Sequence, residues 1–150
     1  MAKTSVDLFR SVTKEDFPDG TVLDGKPAPG VLFPDFVDRP LPSGTIRRAD
    51  VHQFTDSNGH DWITSGGGTS LFDRPGVFPP KKWISFRIPL GTVVPESIIV
   101  KFDGWRERFQ ANHYQIESAT NTMRSDAFRG ALENLARNAI VRSIQLASNH

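Results

Sequence analysis

Residues 128–147 read Phe128-Arg129-Gly130-Ala131-Leu132-Glu133-Asn134-Leu135-Ala136-Arg137-Asn138-Ala139-Ile140-Val141-Arg142-Ser143-Ile144-Gln145-Leu146-Ala147. Phe128, Ala131, Leu132, Leu135, Ala136, Ala139, Ile140, Ile144 and Ala147 recur at i, i+3, i+4 spacing, broken only by Ser143. That is the period of one apolar helix face. Arg129, Glu133 and Arg137 stand four apart on the other side, where opposite charges add slight support. Thr122 or Ser125 is suited to cap the start. The spacing predicts a helix of roughly 20 residues docked on a sheet.

Upstream the period changes. Val6 to Val12 is short and apolar-rich and reads as a strand carrying Arg10. Val51 to Thr55 is a second, closed by the turn-like Asp56-Ser57-Asn58-Gly59. Trp62-Ile63-Thr64, Lys82 to Pro89, Ser97 to Phe102 and Asn112 to Glu117 complete the set. Short strands plus a helix, without βαβ alternation or internal repeats, give an α+β domain.

The chain has 150 residues, the size of one domain. Apolar residues at 37% and charged residues at 23% exclude a disordered acidic tail and a membrane protein. Eighteen Lys and Arg face 17 Asp and Glu, too even a balance for a binder working by bulk positive charge. With no cysteine, disulfides, zinc–thiolate sites and a thiol nucleophile are excluded. The first residues hold no signal-peptide core and no stretch approaches a membrane span. The expectation is synthesis in the cytoplasm and any export by a route without a cleaved signal. Phe occurs 11 times and Tyr once, which suits a small core filled without buried hydroxyls. Six prolines between Phe17 and Gly44 rule out a long helix there. The interleaved Val31, Leu32, Phe33, Phe36 and Val37 make this stretch an ordered loop packed on the domain.

Chemistry concentrates in Ser65-Gly66-Gly67-Gly68-Thr69-Ser70-Leu71-Phe72-Asp73-Arg74. Three glycines suit either a flexible hairpin loop or a place where something approaches the backbone closely. The Walker lysine and the dinucleotide glycine pattern are both missing. His113 and the sole tyrosine, Tyr114, open a strand, so one points in and the other out. Arg10 either faces solvent or is held inside by an anion that its fork matches. No metal-ligand spacing is present. Ser70, His113 and Asp73 or Asp103 have the residue types of a hydrolytic triad, but the Gly-x-Ser-x-Gly elbow is absent.

Three blocks in this order resemble the small ADP-ribosyltransferase-like toxins of the bacterial type VI secretion system. They are Leu8-Phe9-Arg10-Ser11-Val12, then Gly67-Gly68-Thr69-Ser70-Leu71-Phe72-Asp73-Arg74, and the run from Ile88 to Ile116 containing Gln110, His113 and Tyr114. Leu135 to Ile140 in the helix also fits. The stretch from Phe17 to Asp50 does not visibly follow the family. The resemblance implies a split β-sandwich with a long C-terminal helix and an NAD-binding cleft between two small sheets. It implies Arg10 holding the cofactor, with Gly67, Gly68, Thr69 and Gln110 around it, and Thr69 and Ser70 shaping the nicotinamide pocket. Ser70, His113 and Tyr114 would orient NAD. The chemical helper is open between Glu117, Asp103 and no acid at all.

The implied activity is transfer of ADP-ribose from NAD to a protein or nucleic acid inside a target cell, with a cognate immunity protein as partner. An NAD glycohydrolase is the nearest variant. A non-enzymatic nucleic-acid binder using Arg124, Arg129, Arg137 and Arg142 is the alternative from another class.

Overall fold

The computed structural model describes residues 1–148. In chain order the strands are β1 (Leu8–Thr13), β2 (Val22–Leu23), β3 (Lys26–Pro27), β4 (Arg39–Pro40), β5 (Ile46–Arg47) and β6 (Gln53–Thr55). There follow β7 (Asp61–Thr64), β8 (Thr69–Phe72), β9 (Trp83–Ile88), β10 (Ile98–Arg106), β11 (Ala111–Ser118) and β12 (Thr122–Arg124). The chain closes with helix α1 (Ser125–Ser148). The class is α+β, as the change of period requires.

A five-stranded antiparallel sheet runs β10-β11-β8-β1-β9, and a three-stranded sheet runs β12-β7-β6. β2–β3 and β4–β5 are two small hairpins within the proline-rich segment. β10 continues past the expected end at Phe102 because a bulge between Phe102 and Gly104 lets it bend and keep its partner β11.

The large sheet is really two halves. β1 pairs with β9 through six residue couples, Leu8↔Ile88 to Thr13↔Trp83. β8 pairs with β11 from His113↔Phe72 to Ile116↔Thr69. Between the halves only Phe9↔Phe72 is in register, and the strands part beyond it. This is the split that the resemblance implied.

α1 lays Phe128, Ala131, Leu132, Leu135, Ala136 and Ala139 into the core. They meet Leu8, Phe86 and Ile88 of the large sheet and Ile63 and Met123 of the small one. The expected stripe stops short: Ile144 is 61% exposed and Ala147 is also exposed, because this face of the last turns extends beyond the core cluster. Neither proposed cap takes that role. Thr122 lies in β12, and the Ser125 hydroxyl donates to Gln53 Oε1 at 3.1 Å. The charged face is also used differently from an i, i+4 ladder. The Arg129 guanidinium sits 3.8 Å from the Phe36 ring centroid, and Glu133 accepts the Gly30 N–H.

Those two contacts fasten the proline-rich segment to the helix. Val31 and Leu32 are fully buried, and Phe36 meets Phe128 edge-on at 6.3 Å. The segment is an ordered cover, although Val37 faces solvent. Among the described residues no helix is long and apolar enough to cross a membrane.

Candidate active site

The site begins with the glycines. A Cβ on Gly68 would lie 1.7 Å from the Ile116 carbonyl oxygen, and one on Gly67 would lie 2.3 Å from that of Asp50. The close approach is therefore made by the chain's own backbone. It lets β8 leave the glycine turn flush against β11. From there strand alternation sorts the side chains. Thr69 and Leu71 are fully buried on one face, with Thr69 Oγ1 donating to the Leu32 carbonyl at 2.6 Å. Ser70 and Phe72 face a cavity of about 610 Å³ on the other side.

Arg10 fills the split between the sheet halves. Its Nη1 donates to the Ser70 carbonyl at 3.3 Å, and its Nη2 to the Phe33 carbonyl at 3.0 Å. Arg10 Nε is buried and has no partner among the described residues. Burial lowers the guanidinium pKa from its ordinary value, with Asp50 and Asp35 opposing that shift. A buried cation with a spare N–H is a standing site for an anion. Arg39 and Arg47 flank it from the cover, each within 3.4 Å of Asp35.

Across the split, His113 projects from β11 into the same cavity. His113 Nε2 lies 2.9 Å from Ser70 Oγ, and Nδ1 lies 2.8 Å from Asp103 Oδ2. Asp103 Oδ2 also accepts from Arg106 Nη2 at 2.7 Å. The hydrogen bond from His113 is the largest cause holding the Asp103 carboxyl below its usual pKa. The wall beside His113 is aromatic. Phe72 lies 5.1 Å from the imidazole and 5.0 Å from Phe109, while Phe78 stacks on Trp83 at 4.7 Å. One end of the cavity is thus cationic and the other flat and apolar, with a hydroxyl–imidazole–carboxylate chain alongside.

The family model described as Tse2 ADP-ribosyltransferase toxin matches residues 3–144. The chain is also 33% identical over 154 residues to Toxin Tse2 of Pseudomonas aeruginosa, covering 97% of this chain and 94% of the relative. The chain belongs to the Tse2 ADP-ribosyltransferase toxin family. It is a toxin with an ADP-ribosyltransferase domain, and its split α+β architecture is that of such toxins.

Within this Tse2-like toxin, the residues expected at the site fall into three groups. Arg10, Ser70 and His113 share the cavity. Gly67, Gly68 and Thr69 lie behind it, against Asp50, Ile116 and Leu32. Gln110, Tyr114 and Glu117 are not among the residues lining the cavity. Gln110 Nε2 donates to the Glu107 carbonyl, Tyr114 packs on the core beside Phe102, and Glu117 accepts from the Gly66 N–H and Gln115 Nε2.

Sequence reasoning did not find the aromatic wall or the flanking arginines. The richness in phenylalanine pointed to core filling. Phe86 and Phe128 do that, but Phe72, Phe78 and Phe109 line the cavity. Arg39 and Arg47 fall in the segment where the resemblance lapses, so no motif marked them. Two of the three arginines of α1 tie it to the rest of the fold, Arg129 on Phe36 and Arg142 donating to the Leu90 carbonyl, whereas Arg137 is exposed and meets Asn134 of the same helix.

Proposed function

We propose that this toxin is an NAD-dependent mono-ADP-ribosyltransferase that modifies a protein or nucleic acid in the cell it enters. The observation that carries this reading is the buried, unpartnered Arg10 Nε beside Ser70 and His113 in one cavity. NAD, as substrate, supplies an ADP-ribosyl group when its nicotinamide–ribose bond breaks, and positive charge builds on the sugar as it does so.

Each end of the cavity suits one part of that molecule. Arg10 offers a planar donor fork to the pyrophosphate, with Arg39 and Arg47 close enough to add to it. The aromatic wall offers flat faces to a heteroaromatic ring and keeps water away. Ser70, hydrogen-bonded to His113, meets the ribose beside them. Gly67, Gly68 and Thr69 serve by fixing the β8 backbone from which Ser70 projects. Gln110, Tyr114 and Glu117 support the walls and do not touch NAD. Residues 1–150 act as one domain. Membership of a toxin family supports delivery into a target cell and a cognate immunity protein as the producer's protection.

The test is direct. NAD at 100 times its Kd adds about 2.7 kcal/mol of stability, read as a rise in Tm. Arg10→Lys keeps the charge but loses the fork, and it lowers NAD affinity by about 10- to 100-fold. Ser70→Ala leaves a folded protein that neither releases nicotinamide nor is toxic. A Tm unmoved by NAD, or full toxicity in both variants, removes the reading. Rapid nicotinamide release without any macromolecular acceptor assigns the toxin to NAD hydrolysis instead.

A further inference from the structure

An ADP-ribosyl donor needs negative charge or a turned lone pair near the ribose as the sugar becomes positive. Glu117, the acid closest in sequence to the His113 block, does not line the cavity and is bonded to Gly66. The carboxylates that do line it are Asp16, Asp35 and Asp50. Asp35 is paired with Arg39 and Arg47, and Asp50 with Arg47 and the Asp35 N–H. Asp16 sits in the turn after β1, outside the split. One acid remains coupled to the reacting end: Asp103, through His113.

We propose that Asp103 is a positioning residue that acts on the substrate through His113 and Ser70. The inference rests on the NAD reading above and names the acid which that reading left open. A carboxylate only accepts, so Asp103 Oδ2 fixes the proton of neutral His113 on Nδ1. His113 Nε2 is then the acceptor, and the Ser70 hydroxyl must donate to it across 2.9 Å. That rotates the Ser70 oxygen so that its lone pairs point into the cavity. The ribose meets an electron-rich hydroxyl backed by a fixed negative charge, although no carboxylate touches it. Arg106, on the same carboxylate oxygen at 2.7 Å, helps to align Asp103. Position along the strands explains the geometry: the bulge between Phe102 and Gly104 moves Asp103 out of plain register and brings its carboxylate to the imidazole.

The experiment is Asp103→Ala, read in two ways. Alanine removes the acceptor that holds the imidazole proton on Nδ1; the proton moves to Nε2, which then donates to Ser70 and turns its lone pairs away. Nitrogen NMR of His113 in the free protein should show protonated Nδ1 in the wild type and protonated Nε2 in Asp103→Ala. Nicotinamide release from NAD should fall about 10²-fold in kcat with KM changed by less than about threefold. Asp103→Glu should recover part of that loss. Asp103 is about half exposed, so any fall in Tm is small, and the unchanged KM together with the His113 tautomer separates lost positioning from a folding defect. Equal kcat in wild type and Asp103→Ala, or the same His113 tautomer in both, overturns the proposal alone. A wild type that releases no nicotinamide overturns the NAD reading and the proposal with it.

Discussion

At the scale of single residues, the three consecutive glycines have separate reasons for being glycine. Gly66 adopts φ +98°, a conformation L side chains rarely take. Gly67 and Gly68 face carbonyl oxygens too near for any Cβ. Backbone atoms cannot swing aside as a flexible side chain does. Gly68→Ala must therefore push β8 off β11, and since Ser70 hangs from β8, the site is damaged along with the fold. The expected cost is about 3 kcal/mol or more, the upper end of overpacking penalties. Chemical denaturation measures it. The comparison is Gly130→Ala in α1, where a Cβ meets nothing within 4 Å and the residue is exposed. There the methyl improves helix propensity and stability rises by about 0.8–1 kcal/mol. Equal effects at the two positions would contradict the close backbone approach.

At the scale of elements, helix and strands were legible where a period repeats often enough to be seen. Nine apolar positions announced α1, and short β-prone runs announced β9 and β11. β8 was hidden because its four residues follow a glycine run whose composition reads as a loop. β12 was hidden because three residues show no period at all, and it exists by pairing Thr122↔Thr64 to Arg124↔Trp62 with β7. The site was half legible for a related reason. Arg10, Ser70 and His113 lie in strands that a family motif marks, whereas the aromatic wall and the cover's arginines are assembled by tertiary packing. The same logic limits the helix stripe, since periodicity reveals a face but not where its partner ends. Phe128 is fully buried against the sheet, while Ile144, on the same stripe, is mostly exposed. Phe128→Ala should cost about 3–5 kcal/mol and Ile144→Ala about 0.5 kcal/mol or less. Urea midpoints of the two variants check it, and similar losses at both would mean that the far end of α1 is covered after all.

At the scale of the whole molecule, the core runs without a break from Leu8 through Ile63 and Phe86 to Ala139. Elements from both ends of the sequence, β1 and α1, therefore share it, and calorimetry should show a single unfolding transition. Several surface loops are instead tied by exposed carboxylates whose pKa values are all lowered. Asp38 accepts from the Ala49 N–H and Arg48, Asp56 from the Trp62 indole and the His60 and Asn58 amides, and Glu107 from Trp105 and Gln110. Asp103 joins them through His113. The unfolded chain, with ordinary carboxylate pKa values near about 4, takes up these protons before the folded chain does. The stabilisation they give is therefore complete above pH of about 5. It drains away as acid carries the solution down through their lowered folded values. Heating scans should give a flat Tm from neutral pH to about 5, then a steady fall toward pH 3. Because two of these carboxylates sit in the β10–β11 arm that carries Asp103 and His113, amide exchange there should quicken before exchange in α1 does. A Tm that holds or rises between pH 5 and pH 3 would show that the paired carboxylates contribute nothing to the folded state.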